Sequence, residues 1–408
     1  MIKRTVLENG LKLITENIES VHSSAVGIWC GVGSVDETAE QSGISHVTEH
    51  MFFKGTPTRT TKQISNGIEN TGGNPNAWTD KEQTFYYATT LGTKTIDVLD
   101  ILADSFLNSN YDDKELGKEK KIIFEEIAMC EDDPTNVLFG QLYQSLWKNH
   151  TLGTPIAGTR ETVSSFSGSD LKNFAKNNYS PDSTVICASG KIDHESIEKY
   201  IRKNFSHLTG SKNSWMNRTI PINTNASCQI IKKDIEQVHV ALALPSCNNT
   251  DPKRYATELL CDILGGGMSS RLFTEIREKR GISYSVSCFN KTHTKSGVFG
   301  CYAETNKENY EQVIKIFRAE LKKLKNKKVS LKELERVKNQ ATGSMVISQE
   351  NMLSKIICHG KQELIFGRQI PLEETIKNCN KVSQIDILNV ANELFDQEND
   401  HLVASGNV

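Results

Sequence analysis

The stretch SHVTEHMFFKGT, residues 45–56, places His46, Glu49 and His50 within five residues. Residues four apart on a helix share a face, so the two histidines would stand one turn apart with the glutamate beside them. Two imidazoles so spaced can each approach one zinc ion to about 2 Å and leave a coordination position open. A neighbouring carboxylate that does not bind the metal can take a proton from water activated there. A half-buried amphipathic helix that happens to carry histidine has the same local pattern, and the spacing alone leaves both readings open.

The elements that would position these residues can be read outward from them. A helix from about Ser42 to Phe53 is expected, with Gly55 as its stop signal. Before it, RTVLENGLKLITE reads as two strands around Asn9-Gly10, and SSAVGIWCGVGSVDE as a further strand. After it, TKQISNGIENTGG reads as a helix, NPNAWTDKEQTFYYATT as two extended segments, and KTIDVLDILADSFLNS as a helix. DDKELGKEKKIIFEEIAMCEDDP reads as a long helix stopped near Pro134. A helix near 168–178, the strand STVICASG and the helix HESIEKYIRKNF complete this half.

The chain has 408 residues, which predicts two domains of roughly 200 residues each. Residues 206–225 are polar and turn-rich and read as a linker, leaving a catalytic domain over 1–205 and a second over 226–408. Beyond the linker the order of elements restarts. DPKRYATELLCDILGGG stands in the place of EQSGISHVTEHMFFKGT, which implies a duplication at a period of about 210 residues. The fold class is α+β: two related domains, each a mostly antiparallel sheet packed with helices.

The net charge of −2 lacks the basic surplus of a general nucleic-acid binder, and LKKLKNKK (321–328) reads as a solvated helix end. The ten cysteines form no C-x-x-C pair and read as reduced thiols. No stretch reaches the ~18 apolar residues a membrane span needs, and strand alternation begins at the N-terminus without an apolar signal core. A cytoplasmic location is expected from this. GGGMSSR has a nucleotide-loop look but lacks the Gly-Lys-Ser/Thr of a phosphate-binding loop.

H-x-x-E-H is the mirror order of the H-E-x-x-H zinc-protease motif. With GGNPNAWTDKEQTFYYA and LGTPIAGT (152–159), GISHVTEHMFFKGT resembles the pitrilysin-type, or inverzincin, zinc metallopeptidases. The likeness covers nearly the whole chain. It is nearest to single-chain bacterial members similar to the beta subunit of mitochondrial processing peptidase. Val47 and Thr48 stand where that family more often has bulky apolar residues, and TDKEQT is a variant segment; neither touches a ligand.

The resemblance implies a Zn2+ endopeptidase acting on peptides or unfolded, presequence-like segments. Its metal ligands would be His46, His50 and a distant glutamate, Glu126, with Glu49 as general base to the zinc-bound water. Glu119 lies two helical turns before Glu126, on the same face, and would orient Glu126 or a histidine from behind. Setting Leu264 against Phe53 puts Thr257, Leu260 and Cys261 at the places of His46, Glu49 and His50, so the second half is degenerate. The resemblance further implies two substrate-contacting residues there, Arg277 and Tyr284, acting in trans across a homodimer shaped as a clamshell. Asn76 and Ala77 would line the substrate backbone as a strand partner. Two other readings stay open: a non-catalytic core-type subunit, and the catalytic half of a two-chain processing peptidase.

Overall fold

A computed structural model describes residues 2–210, 218–395 and 399–408. The chain divides into two compact units. The first holds a six-stranded sheet in the order β1-β2-β6-β3-β5-β4. Its strands are β1 (Ile2–Val6), β2 (Lys12–Asn17), β3 (Ser23–Cys30), β4 (Asn74–Thr79), β5 (Thr84–Leu91) and β6 (Thr184–Gly190). The second holds a five-stranded sheet in the order β7-β11-β8-β10-β9. These are β7 (Ser227–Lys232), β8 (Val238–Pro245), β9 (Ser283–Thr292), β10 (Gly297–Thr305) and β11 (His401–Gly406).

The two sheets share one topology. In each, a parallel pair (β2 with β6, β7 with β11) is followed by three antiparallel pairings in the same order. The duplication expected from element order is therefore present strand for strand, with β1 an addition to the first sheet.

Central strands β3 and β6 are buried along almost their whole length and do not alternate. Both faces of the first sheet are covered, and strands buried on both faces read as continuous apolar runs. On one face Val26, Ile28, Tyr86 and Ala88 pack with α1 (Ile44–Met51), α2 (Thr61–Glu69), α3 (Thr95–Asn108) and α8 (His194–Phe205). On the other, Trp29, Phe85 and Val185 meet Met352, Ile356 and Leu364 of α12 (Met352–Phe366). Gly360 makes this approach possible, because a Cβ there would lie 2.3 Å from the Trp29 indole. Polar contacts fix the helix in register: Lys355 and His359 reach Glu16 at 3.0 and 3.1 Å, and Arg4 pairs with Glu363 at 2.8 Å.

This arrangement corrects the linear domain division. Ile347–Gln369, from the second half of the sequence, belongs to the first unit, and Met129–Gly153, from the first half, belongs to the second. In the second unit α5 (Pro134–Leu146) packs on β8 and β11, and just beyond it Trp147 donates to Ser296 Oγ at 3.0 Å. The physical reason is the same for both: each sheet has two apolar faces, and the second face is covered by a helix from the other half of the chain. Pro134 also differs from expectation. It does not merely stop a helix but opens α5, with Asp133 capping the N–H of Asn136. Of the linker expected over 206–225, residues 211–217 lie outside the described residues; 218–225 form neither helix nor strand. Among the described residues no helix is long and apolar enough to cross a membrane.

Candidate metal centre

All the metal-site residues expected from the sequence lie in the first unit, on α1 and α4 (Asp113–Asp132). Ile44, Val47 and Met51 of α1 enter the core. This apolar stripe fixes the helix's rotation and turns His46, Glu49 and His50 to the other side. In α4, Leu116, Ile123 and Ile127 play the same part, and Glu119 and Glu126 come to lie against α1.

The geometry brings together three ligand-type groups. One ligand atom from each of His46, His50 and Glu126 lies within 4.8 Å of the others. His46 Nε2 stands 3.5 Å from Glu126 Oε1, and His50 Nε2 stands 3.5 Å from Glu126 Oε2. Ligand atoms about 2.0–2.1 Å from a tetrahedral zinc sit roughly 3.3 Å apart. The two 3.5 Å separations, which end on different Glu126 oxygens, come near this, and the whole set stays within 4.8 Å, so two imidazoles and a carboxylate form a donor set suited to that ion. With Nε2 of His50 reserved for a metal, its proton belongs on Nδ1, which faces Glu119 Oε2 at 3.3 Å. His46 Nδ1 is buried and has no hydrogen-bond partner among the described residues.

Electrostatics follows the geometry. Hydrogen bonds from His46 and His50 hold the Glu126 carboxyl far below the usual carboxylate range. Burial lowers the His50 pKa, but its bonds to Glu126 and Glu119 and the charge of Glu49 outweigh this and raise it. Burial raises the Glu49 pKa, opposed by the two histidines and by a hydrogen bond from Thr79 Oγ1 at 3.3 Å.

Three contributors escaped sequence reasoning. Lys54, one turn beyond His50, pairs with Glu119 Oε1 at 2.7 Å. Thr79, at the end of β4, steadies Glu49. Glu37 is buried and accepts from the backbone N–H groups of Gly43 and Ser45 at the start of α1. The first two could have been sought as polar residues beside the motif, whereas Glu37 lies in an irregular segment with no periodicity to mark it.

The remaining expected residues fall as follows. Asn76 and Ala77 are on β4, which pairs with β5 alone among the described strands and so is a sheet edge. In the second unit the structure pairs Arg277 with Tyr284. The guanidinium donates to the Tyr284 carbonyl at 3.1 Å and lies over its ring at 4.4 Å, and the Tyr284 side chain is exposed. The counterpart of α1 is α9 (Arg254–Gly265), where Thr257, Leu260 and Cys261 are all buried as packing.

Known proteins place this geometry in context. Residues 12–160 match the family described as Insulinase (Peptidase family M16), and residues 165–341 match the Peptidase M16 inactive domain. A Bacillus subtilis (strain 168) protein called "Uncharacterized zinc protease YmxG" is 37% identical over 98% of this chain and 97% of its own length. A Streptomyces coelicolor "Uncharacterized zinc protease" is 34% identical over 97% of this chain and 87% of its own. The fold matches the crystal structure of a protease from Helicobacter pylori with a TM-score of 0.90, at 21% identity over 100% of this chain and 99% of that one. It also matches a peptidase M16 inactive domain from Pseudomonas fluorescens with a TM-score of 0.91, at 18% identity over 100% and 98% of the two chains. The chain belongs to peptidase family M16, the pitrilysin-type family whose reversed zinc-protease motif its first half carries intact.

Proposed function

We propose that the chain is a zinc-dependent endopeptidase cleaving peptides or unfolded segments, with His46, His50 and Glu126 as metal ligands and Glu49 as general base. The observation that carries this reading is the convergence of three ligand atoms within 4.8 Å, with the Glu49 carboxylate on the same helix. Bound zinc supplies Lewis acidity, which acidifies water and polarises a carbonyl. Glu49 takes the proton of the attacking water and passes it to the leaving amine, with Thr79 holding one oxygen in place. Glu119 keeps the His50 proton on Nδ1. A substrate strand pairs along the open edge of β4 past Asn76 and Ala77, which selects extended chain rather than sequence.

Arg277 and Tyr284 supply donors to the developing oxyanion from the partner chain of a homodimer. Their mutual stacking supports a shared role. The test is hydrolysis of a mixed peptide pool after chelation and after zinc is restored. Activity that disappears and returns supports the proposal; activity indifferent to chelation refutes it. Sedimentation of the purified chain separates a homodimer from the catalytic half of a two-chain peptidase.

A further inference from the structure

The start of α1 raises a problem that the metal-site reading leaves unexplained. A helix exposes four N–H groups at its first turn, and a Ser, Thr, Asp or Asn side chain at the N-cap usually satisfies one of them. Here the N-cap is Gly43, in the left-handed region at φ 95°, with no capping side chain. No side chain can be placed there. A Cβ on Gly43 would lie 2.7 Å from the Ala157 carbonyl oxygen and 2.8 Å from Gly158 Cα. The segment after Gly153 presses its backbone against that of residues 42 and 43, and Thr162 Oγ1 donates to the Ser42 carbonyl at 2.7 Å. The helix is also only eight residues long, too short to hold itself without tertiary support.

Glu37 fills the gap from outside the helix. Its Oε2 accepts from Gly43 N and its Oε1 from Ser45 N, both at 2.8 Å. It is 5% exposed. A buried carboxylate is costly: burial raises the Glu37 pKa to about 7, and the two backbone donors oppose that rise without cancelling it. Ser45 directly precedes His46, and Glu49 and His50 follow within the next turn.

We infer that Glu37 is a positioning residue for the metal helix, a remote cap whose two oxygens clamp the backbone on either side of Ile44 and so set the direction of His46 and Glu49. This rests on the reading of α1 as a metal helix. Elsewhere, Lys322, Lys323, Lys327 and Lys328 are exposed at a helix end, and Arg271 is satisfied by Glu333.

The test is Glu37→Gln, which preserves shape but turns one acceptor into an amide donor facing an N–H. Zinc affinity is measured by competition with a chromophoric chelator, beside circular dichroism and hydrogen–deuterium exchange over residues 38–51. The expected result is a folded variant with zinc affinity weakened about tenfold or more and with faster exchange confined to that segment. Wild-type affinity in the variant overturns the inference, even if its melting temperature falls. A wild-type chain that takes up no zinc overturns the metal-helix reading itself, whereas a zinc-binding wild type beside an equally zinc-binding variant overturns this inference alone. Should Glu37→Gln not fold, exchange in the wild type decides: protected amides at Gly43 and Ser45 support the clamp, and unprotected ones refute it.

Discussion

Replacing Glu119 by Gln should weaken zinc binding while leaving the fold intact. The carboxylate is buried and serves two partners with its two oxygens, Lys54 Nζ at 2.7 Å and His50 Nδ1 at 3.3 Å. Gln offers one acceptor. If it faces Lys54, the His50 N–H meets an amide donor and the tautomer with Nε2 free is no longer favoured. If it faces His50, the Lys54 ammonium loses its counter-charge close to the metal. Either way the loss falls on the metal-bound state. Losing a partner that orients a ligand histidine costs about 10–100-fold in metal affinity, or about 1.4–2.7 kcal/mol. Competition against a chromophoric chelator at pH 7.5 reads this directly, and circular dichroism checks the fold. A Glu119→Gln chain that binds zinc within a factor of two of wild type would refute the argument that His50 is oriented from behind.

Gly360→Ala should loosen α12 from the first sheet. The new methyl would meet the Trp29 indole at 2.3 Å, and that ring is fully buried and stacked on Phe85 at 4.1 Å. Overpacking of about 1–3 kcal/mol, less about 1 kcal/mol of helix propensity, predicts a net loss of roughly 0–2 kcal/mol in denaturant unfolding; a variant more stable than wild type would count against this packing. Burial alone would raise the Glu16 pKa, but His359 and Lys355 bring it down to about 2 from a usual 4.5. A carboxyl depressed on folding stabilises above its unfolded pKa and loses that contribution as pH falls from about 4.5 towards 2. Discounted for partial solvation, this amounts to about 1–2 kcal/mol, so the stability gap between wild type and Glu16→Gln should close with acid; a gap independent of pH would refute it. Arg277→Ala should cut kcat about 10²–10³-fold with zinc affinity unchanged. Mixing it with inactive Glu49→Gln chains should restore roughly a quarter of wild-type activity if the arginine acts across a two-fold dimer. No restoration would place its action within one chain or nowhere.

Much of the first unit is legible because its signals are local. The i, i+4 pair His46 and His50 and the turn at Asn9-Gly10 each carry their information within a few residues. Glu126 and Glu119 could be linked because seven residues return to the same face of one helix. What stayed hidden depends on contacts distant in sequence. The apolar face of α12 looks the same whether it covers the nearer sheet or the other one, so the exchange of 129–153 and 347–369 between units left no pattern to read. Pro134 signals a helix boundary without saying that a new helix begins there. Glu37 lies outside any periodic segment, and only the crowding of Gly43 by Ala157 and Gly158 explains why a remote carboxylate must cap α1.

The most direct test of the central claim is zinc content and peptide hydrolysis measured together for the wild type and Glu49→Gln. One zinc per chain in both, with cleavage by the wild type alone, is the predicted result. Equal turnover by Glu49→Gln would contradict the assignment of the general base, and a wild-type chain without bound zinc would contradict the metal centre itself.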